Sequence, residues 1–172
     1  TPWQVKYYKN VDKNLAMRQH REMCKKLEAE GVKCHFLESV KGATEQKDAR
    51  DAGIITSKGA IIATQRDIDY KRGEAEAFKK MCKRLSIPVL NANEKIDFEG
   101  GDVFQLDKKT MVLGFGKRTR LHSKEVLARY TRGKDIIIVP HKVSHHLDGA
   151  FNFVNESLIV ADERYVQLSD TL

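Results

Sequence analysis

The chain has 172 residues, enough for one domain with a sizeable core that needs neither disulfides nor metal to fold. Hydrophobic residues make up 41% and charged residues 32%, which excludes a disordered tail. No apolar run reaches the roughly 20 residues that a membrane-spanning helix needs, so we expect no membrane partner. The net charge of +7 permits nucleic-acid binding but also suits a basic enzyme with an anionic substrate.

The cysteines and the first residues predict the compartment. Cys24, Cys34 and Cys82 form no CxxC pair, and an odd number of scattered thiols is typical of a reducing environment. The chain starts with the letters TPW and shows no charged and apolar leader, so we expect no signal peptide. Together these features predict a cytoplasmic protein with free thiols.

The first predicted element is a helix from about 13 to 30. Asp12 can cap its N-terminus, and Gly31 can end it. Five residues fall on one face of this helix, which we expect to be buried: Leu15, Ala16, Met23, Cys24 and Leu27. Alternating apolar and polar residues then predict a strand over 32–36.

A repeating order of elements follows. Two strands, a helix and a strand are predicted at 53–55, 60–63, 72–85 and 88–90. The same order returns at 102–104, 110–114, 123–130 and 136–140, and a third copy opens with strands at 151–154 and 158–161. The period is about fifty residues, which is typical of a repeat protein built from ββαβ units.

The repeat predicts an α/β fold in one domain over 1–172. Its units are predicted at approximately 1–40, 49–97, 98–145 and 146–172, the first and last being partial. Each repeat unit covers its neighbour, so partial units at both ends predict a fragment or processed piece of a longer protein. The alternative is a coincidental alternation of helices and strands.

Polar motifs stand at the same place in each copy, directly before its first strand. They are ARD at 49–51, FEGGD at 98–102 and SHHLD at 144–148. Taken singly, each could be a turn, a solvated loop or a surface ion pair. In repeats arranged around an axis, however, equivalent positions converge on one pocket, whose members would be Asp51, Glu99, Asp102, His146 and Asp148. Clustered carboxylates require a cation, either a metal or an organic group such as guanidinium, which donates bidentate hydrogen bonds.

Three strings, in this order and spacing, carry a family resemblance: FEGGD at 98–102, GFGKRT at 114–119 and HLD at 146–148. They resemble the penteins, the guanidine-modifying superfamily that includes dimethylarginine dimethylaminohydrolase, arginine deiminase and the amidinotransferases. The stretch NLAMRQH at 14–20 is similar to the dimethylargininase branch. The resemblance implies an incomplete α/β-propeller of ββαβ repeats around a pseudo-symmetry axis.

The resemblance also implies roles for the motif residues. His146 matches the catalytic general acid and base, and Glu99 matches the carboxylate that orients it. Asp51 and Asp148 match carboxylates that bind the substrate guanidinium.

Two arginines complete the predicted substrate site. Arg118 resembles an arginine that binds the α-carboxylate of the substrate, and Arg72 is predicted to be a second. Asp102 is counted among the substrate-binding residues because it would face the same pocket.

The implied reaction needs no cofactor but does need a cysteine. A thiolate attacks the amidine carbon, an amine leaves, and water activated by histidine releases a ureido product such as citrulline. In the family this cysteine lies downstream of the histidine motif, whereas no cysteine follows His146 here. The nucleophile is therefore unknown: a further C-terminal segment or a partner chain would supply it, or the protein is inactive. A homo-oligomer is also open.

The leading hypothesis is a hydrolase of guanidino compounds, either arginine or N-methylated arginine. The alternatives are an amidinotransferase, a non-catalytic pentein that binds RNA or ribosomes, and an arginine sensor. We do not expect a nucleic-acid partner, because a binding module has no need for Glu99, His146 and Asp148 in register. The other histidines show no ligand spacing, so no metal site is expected.

Overall fold

The computed structural model describes residues 11–43, 46–64, 71, 73–143, 145–155 and 157–168. They belong to two compact units, one ending at Phe36 and one starting at Leu37. None of the helices in these ranges is long and apolar enough to cross a membrane.

The smaller unit contains helix α1, Lys13–Ala29, as the sequence predicts. Oδ1 of Asp12 accepts hydrogen bonds from the backbone N–H groups of Asn14 and Leu15, at 2.9 and 3.0 Å. The helix ends before Gly31, whose φ of 81° lies in the left-handed region that glycine adopts without strain. The two end signals in the sequence are therefore both used.

Two predictions for this unit are wrong. The described residues show no strand over 32–36, because alternation alone does not make a strand without a partner to pair with. Of the predicted apolar face of α1, Cys24 is buried while Leu15, Met23 and Leu27 are exposed. An apolar stripe marks where a helix can bury surface, but burial requires a neighbouring element, and the described part of this unit has no other helix or strand.

The larger unit contains its elements in the predicted order. They are β1 (Gly53–Thr56), β2 (Gly59–Ile62), α2 (Glu74–Arg84), β3 (Val103–Gln105), β4 (Thr110–Phe115), α3 (Ser123–Tyr130), β5 (Asp135–Pro140), β6 (Phe151–Asn155) and β7 (Leu158–Ala161). Strands β1 and β2 pair antiparallel, as do β6 and β7. Strand β4 pairs antiparallel with β3 and parallel with β5, with α3 as the crossover. The described strands thus form three small sheets in a mixed α/β fold; a ring of such units, and the repeat boundaries, stay predictions.

The predicted strand at 88–90 shrinks to a single parallel bridge between Val89 and Ala60. Pro88 has no N–H to donate to a ladder, although its carbonyl accepts a hydrogen bond from the N–H of Ala60 at 2.8 Å. Asn91 then replaces the next backbone pair, because its side chain both accepts from and donates to the backbone of Ile62, at 2.8 Å each. The side chain of Asn91 therefore makes the hydrogen bonds that a neighbouring strand would otherwise make.

The hydrophobic core joins neighbouring copies of the motif. One cluster links β2 to the second sheet and α3, and contains Ile61, Phe98, Met111, Leu113 and Leu127. A second cluster links the second sheet to β6, and contains Phe104, Val112, Val139, Leu147 and Phe151. Each cluster therefore combines residues from two neighbouring predicted repeats.

Three short 3₁₀ turns precede the first strands of the three copies. They are Ala49–Ala52, Gly100–Asp102 and Leu147–Gly149. The first turn contacts the second, and the second contacts the third. The polar motifs that the turns carry are consequently neighbours in space.

Substituting Gly100 with alanine tests how closely these turns pack. A Cβ there would lie 2.0 Å from the carbonyl oxygen of Arg50 and 2.6 Å from that of Gly53, both backbone atoms that cannot yield cheaply. We expect Gly100→Ala to lower the free energy of unfolding by about 3 kcal/mol, measured by urea denaturation. Gly149→Ala is the control: its nearest neighbour is a Val143 methyl group at 3.3 Å, and we expect a change within about 1 kcal/mol. Equal effects of the two substitutions would contradict this packing.

Candidate active site

The Glu99 carboxylate lies at the centre of the candidate site. It stands in extended backbone directly before the second 3₁₀ turn, with only 1% of its surface exposed. Lys71 Nζ lies 2.7 Å from its Oε2, and Arg118 Nη1 lies 3.2 Å from its Oε1. The Nε2 atom of His146 makes a hydrogen bond to the same Oε2. Three residues far apart in sequence therefore meet on one buried acid.

Asp51 is the second buried carboxylate of the site. Its Oδ2 lies 2.6 Å from Nζ of Lys71, and its Oδ1 lies 3.5 Å from Nδ1 of His146. Lys71 thus bridges two carboxylates with one ammonium group and is itself 4% exposed. Asp51, Glu99, His146 and Lys71 form a compact group, here called the Glu99 cluster.

The second glycine of the FEGGD motif, Gly101, leaves the space in which the His146 side chain lies. A Cβ on Gly101 would lie 2.8 Å from both Cβ and Cγ of His146. The absence of a side chain at this position therefore allows the imidazole to lie directly against the turn.

Asp102 has different partners. Its Oδ2 accepts a hydrogen bond from Oγ1 of Thr119 at 2.6 Å, and its Oδ1 accepts one from the N–H of Leu147 at 2.7 Å. Thr119 in turn accepts a hydrogen bond from the N–H of Glu99 at 3.2 Å. Asp102 is fully buried, and these contacts tie together separate parts of the chain, so they are structural. Its predicted role as a substrate ligand stays a prediction.

A buried histidine adjoins Asp102. His141 Nε2 lies 3.1 Å from the Asp102 carboxylate but is out of line for a hydrogen bond. A Cβ on Gly116 would lie 2.3 Å from the His141 ring, so the GFGKRT motif also owes one glycine to close packing.

Asp148 lies apart from the Glu99 cluster in its contacts. Its Oδ2 is 3.7 Å from Nη1 of Arg50, and the carboxylate is about one third exposed. Arg50 also donates hydrogen bonds to the carbonyls of Gly100 and Val103, at 3.1 and 2.9 Å. The predicted site residue Arg72 lies outside the described residues.

Lys71 is a member of the site that was not predicted from the sequence. The only signal for it is repetition, since Lys71 precedes Arg72 as Lys117 precedes Arg118. Thr119 was also missed, because a hydroxyl at the end of a motif resembles any loop threonine. Lysine and threonine are mostly exposed in folded proteins, so the sequence alone does not indicate that Lys71 and Thr119 are buried.

The cluster shifts the pKa values of both buried bases and acids. Burial raises the pKa of Glu99, but the hydrogen bond from His146 and the charge of Lys71 outweigh it and lower the pKa to about 2. Burial raises the pKa of Asp51 above its usual value, and His146 and Lys71 only partly oppose this. The Glu99 carboxylate is therefore ionised at neutral pH.

The pKa values of the two basic groups rise, although burial alone would lower them. Burial lowers the pKa of Lys71, but Glu99 and Asp51 outweigh it, so the pKa rises above its usual value. Burial also lowers the pKa of His146, while the hydrogen bond to Glu99 and the charge of Asp51 raise it further than burial lowers it. The cluster thus favours a protonated imidazole beside a lysine ammonium.

Asp51, Glu99 and His146 could also hold a metal ion by distance, since one ligand atom from each lies within 4.8 Å of the others. The ammonium of Lys71 already bridges the two carboxylates, however, so a divalent cation would have to displace it. The chain itself supplies the cation that this group of acids requires.

The three cysteines have contacts of their own. Cys82 is fully buried in an apolar cluster with Ala52, Ala60 and Phe78, and burial raises its pKa. Cys34 donates a weak hydrogen bond to the carbonyl of Cys24 in the smaller unit. A raised pKa makes a thiol a poor nucleophile, so Cys82 is a core residue.

The pairing of Glu99 with His146 predicts a measurable titration. Because the pKa of His146 is raised in the folded chain, its imidazolium stabilises the fold below pH 6.5, and this stabilisation is lost as the pH rises through the raised pKa. We expect nuclear magnetic resonance titration of the imidazole to give a pKa above 6.5, and Glu99→Gln to lower it. Substitution of the exposed Glu163 with glutamine should leave it unchanged. An equal His146 pKa in all three proteins would contradict the ion pair.

Comparison with known proteins identifies the family of the chain. The sequence pattern of the family described as arginine deiminase matches residues 80–171, just over half of the chain. A solved dimethylarginine dimethylaminohydrolase from Pseudomonas aeruginosa, in complex with citrulline, is 20% identical with a TM-score of 0.75, and the alignment covers 87% of this chain and 59% of that one. The N-terminal domain of ArgZ, an arginine dihydrolase of Cyanobacteria, is 16% identical with a TM-score of 0.75, covering 87% of this chain and 55% of that one. A further structure of that domain, covalently bound to a reaction intermediate, is also 16% identical with a TM-score of 0.75, covering 87% and 56%.

At these identities the solved structures show a shared fold. This chain spans little more than half the length of each of them. No curated protein matches the sequence significantly. The fold is that of the penteins, and since the family pattern covers more than half of its residues, the chain belongs to the arginine deiminase family.

Proposed function

We propose that this chain supplies the guanidinium-binding and acid–base part of a hydrolase that converts arginine or N-methylated arginine into a ureido product. The observation that carries the proposal is the Glu99 carboxylate, which holds a histidine and a cation at the same time. A group that deprotonates water and a group that binds a cationic substrate must lie side by side in such an enzyme, and here both contact one acid.

The guanidinium would bind where the two buried carboxylates face each other. Asp51 and Glu99 already accept a cation, at 2.6 and 2.7 Å from its nitrogen. A planar guanidinium offers several N–H donors and suits such a pair better than a single ammonium does. Asp148, with Asp102, stays a further candidate for this contact.

His146 is suited to move the protons of the reaction. Its imidazole is held at both nitrogens, by Glu99 at Nε2 and by Asp51 at Nδ1, and is largely buried. After a thiolate attacks the amidine carbon, the imidazolium would donate a proton to the departing amine. The neutral imidazole would then take a proton from the water that hydrolyses the covalent intermediate. The raised pKa keeps the first of these protons in place.

Arg118 would bind the α-carboxylate of an amino-acid substrate, and Arg72 would be a second ligand. Arg118 is partly buried and contacts Glu99, so its guanidinium lies at the edge of the cluster. Two arginine side chains would attract the negatively charged α-carboxylate of a substrate and repel a ligand that carries positive charges only. This favours arginine and its methylated forms over agmatine, which lacks the carboxylate.

The nucleophile of the proposed reaction is a cysteine supplied from outside the 172 residues. Cys82 is buried in a separate apolar cluster, and Cys24 and Cys34 belong to the smaller unit. A longer form of the chain, or a partner chain, would bring the thiolate to the face of the bound guanidinium.

The proposal predicts that the chain binds arginine. We expect isothermal titration calorimetry to detect L-arginine binding, and Glu99→Gln and Asp51→Asn each to weaken it roughly tenfold or more through the loss of a charged hydrogen-bond partner. The matched control is Glu125→Gln, which removes an exposed carboxylate from α3 and should not alter the affinity. Absence of binding, or equal binding by Glu99→Gln, would contradict the proposal.

The activity of a complete, cysteine-bearing protein gives a second prediction. We expect such a protein to release citrulline from arginine or from a methylated arginine, measured by a colorimetric ureido assay. His146→Ala should lower kcat by at least roughly a hundredfold, the usual contribution of general acid–base catalysis. His35→Ala is the control, since it removes an exposed histidine. Unchanged arginine, methylarginine and agmatine would exclude the hydrolase hypothesis.

A further inference from the structure

Lys71 occupies the place that the proposed function gives to the substrate. Its ammonium bridges Oδ2 of Asp51 and Oε2 of Glu99 at 2.6 and 2.7 Å. It is as buried as the acids it contacts, with a side-chain exposure of 3%. A cation is thus bound in the pocket, and it is part of the chain.

The charges around the two acids add up to the same conclusion. Asp51 and Glu99 contribute two negative charges, and Lys71 and Arg118 contribute two positive charges in direct contact with them. His146 can add a third positive charge. These groups therefore carry a net charge of zero, or +1 with His146 protonated, while Lys71 remains in contact with the acids. Withdrawal of the ammonium lowers that charge by one, which makes the pocket more favourable for an incoming guanidinium.

The chemistry of the two cations decides which ligand can make Lys71 withdraw. The ammonium reaches both carboxylates from one nitrogen atom, whereas a guanidinium presents separate nitrogens to each and can donate two parallel hydrogen bonds to a carboxylate. A ligand with a simple amine would only exchange one ammonium for another, and it would lose translational and rotational entropy on binding. Only a better donor than ammonium gains by the exchange.

We propose that Lys71 is a specificity-determining residue, an internal cation that competes with the ligand and admits guanidinium compounds while excluding amines. This inference rests on the proposed function for the identity of the ligand. It assigns the discrimination between L-arginine and L-lysine to a residue of the pocket itself.

Two substitutions of Lys71 test the competition in opposite directions. Lys71→Ala removes the internal cation, and we expect L-arginine to bind about tenfold more tightly or better, because an internal ligand weakens apparent affinity by the fraction of molecules in which the site is open. The same variant should gain binding of L-lysine, which the wild-type chain should not bind. Lys71→Arg places a guanidinium in the pocket covalently and should abolish binding of L-arginine. Calorimetry measures all three proteins.

Lys83→Ala is the matched control, because it removes an exposed lysine from the same helix region and changes the net charge equally. A separate arm does not use arginine: n-butylammonium should raise the melting temperature of Lys71→Ala, which has an empty cation position, but not that of the wild type or Lys83→Ala. Thermal denaturation in this arm also shows whether Lys71→Ala is folded.

The outcomes separate the inference from the proposed function. If the wild type binds L-arginine and Lys71→Ala binds it equally or more weakly, Lys71 is a structural anchor, and the inference fails while the function stands. If neither protein binds L-arginine, the proposed function fails and the competition fails with it. Absence of an n-butylammonium effect on Lys71→Ala overturns the inference whatever arginine does.

Discussion

The burial of one negative charge, the carboxylate of Glu99, organises the larger unit. A buried carboxylate costs several kcal/mol unless charged partners and hydrogen bonds compensate it. The partners come from three parts of the chain: Lys71 precedes α2, Arg118 follows β4, and His146 precedes the third 3₁₀ turn. The unit can bury this acid only when all three parts are folded around it, so the site and the fold depend on the same contacts.

The FEGGD motif shows how surroundings divide two acids between two tasks. Glu99 faces ionised groups, which keep it charged and join it to a proton carrier. Asp102, three residues later, meets a hydroxyl of Thr119 and a backbone N–H of Leu147. In the proposed reaction the first acid would take part in the chemistry, whereas the second ties the turn to the segments that contain Thr119 and Leu147. Of the two glycines between them, Gly101 leaves room for the imidazole.

The order of elements could be predicted well from the sequence, because helix caps and apolar periods are local signals. Asp12 caps the start of α1, and Gly31 lies just past its end, as expected. It also marked Asp51, Glu99 and His146 as chemistry-bearing, because they recur at one position of a repeat. It could not predict what covers a surface, so the strand at 32–36 and the buried face of α1 were wrong. It missed Lys71 for a similar reason: which lysine turns inward depends on acids that lie twenty or more positions away in the chain.

The dependence of the fold on Glu99 affects how activity can be inferred from motifs in related sequences. A related chain without the proposed reaction could not lose this acid freely, because Lys71 and His146 would then share the single carboxylate of Asp51, and Arg118 would lose its contact with Glu99. Purifying selection on stability alone would preserve the glutamate, the paired glycines and the histidine. The same motifs would then be expected in a related chain that folds in this way but does not carry out the proposed reaction.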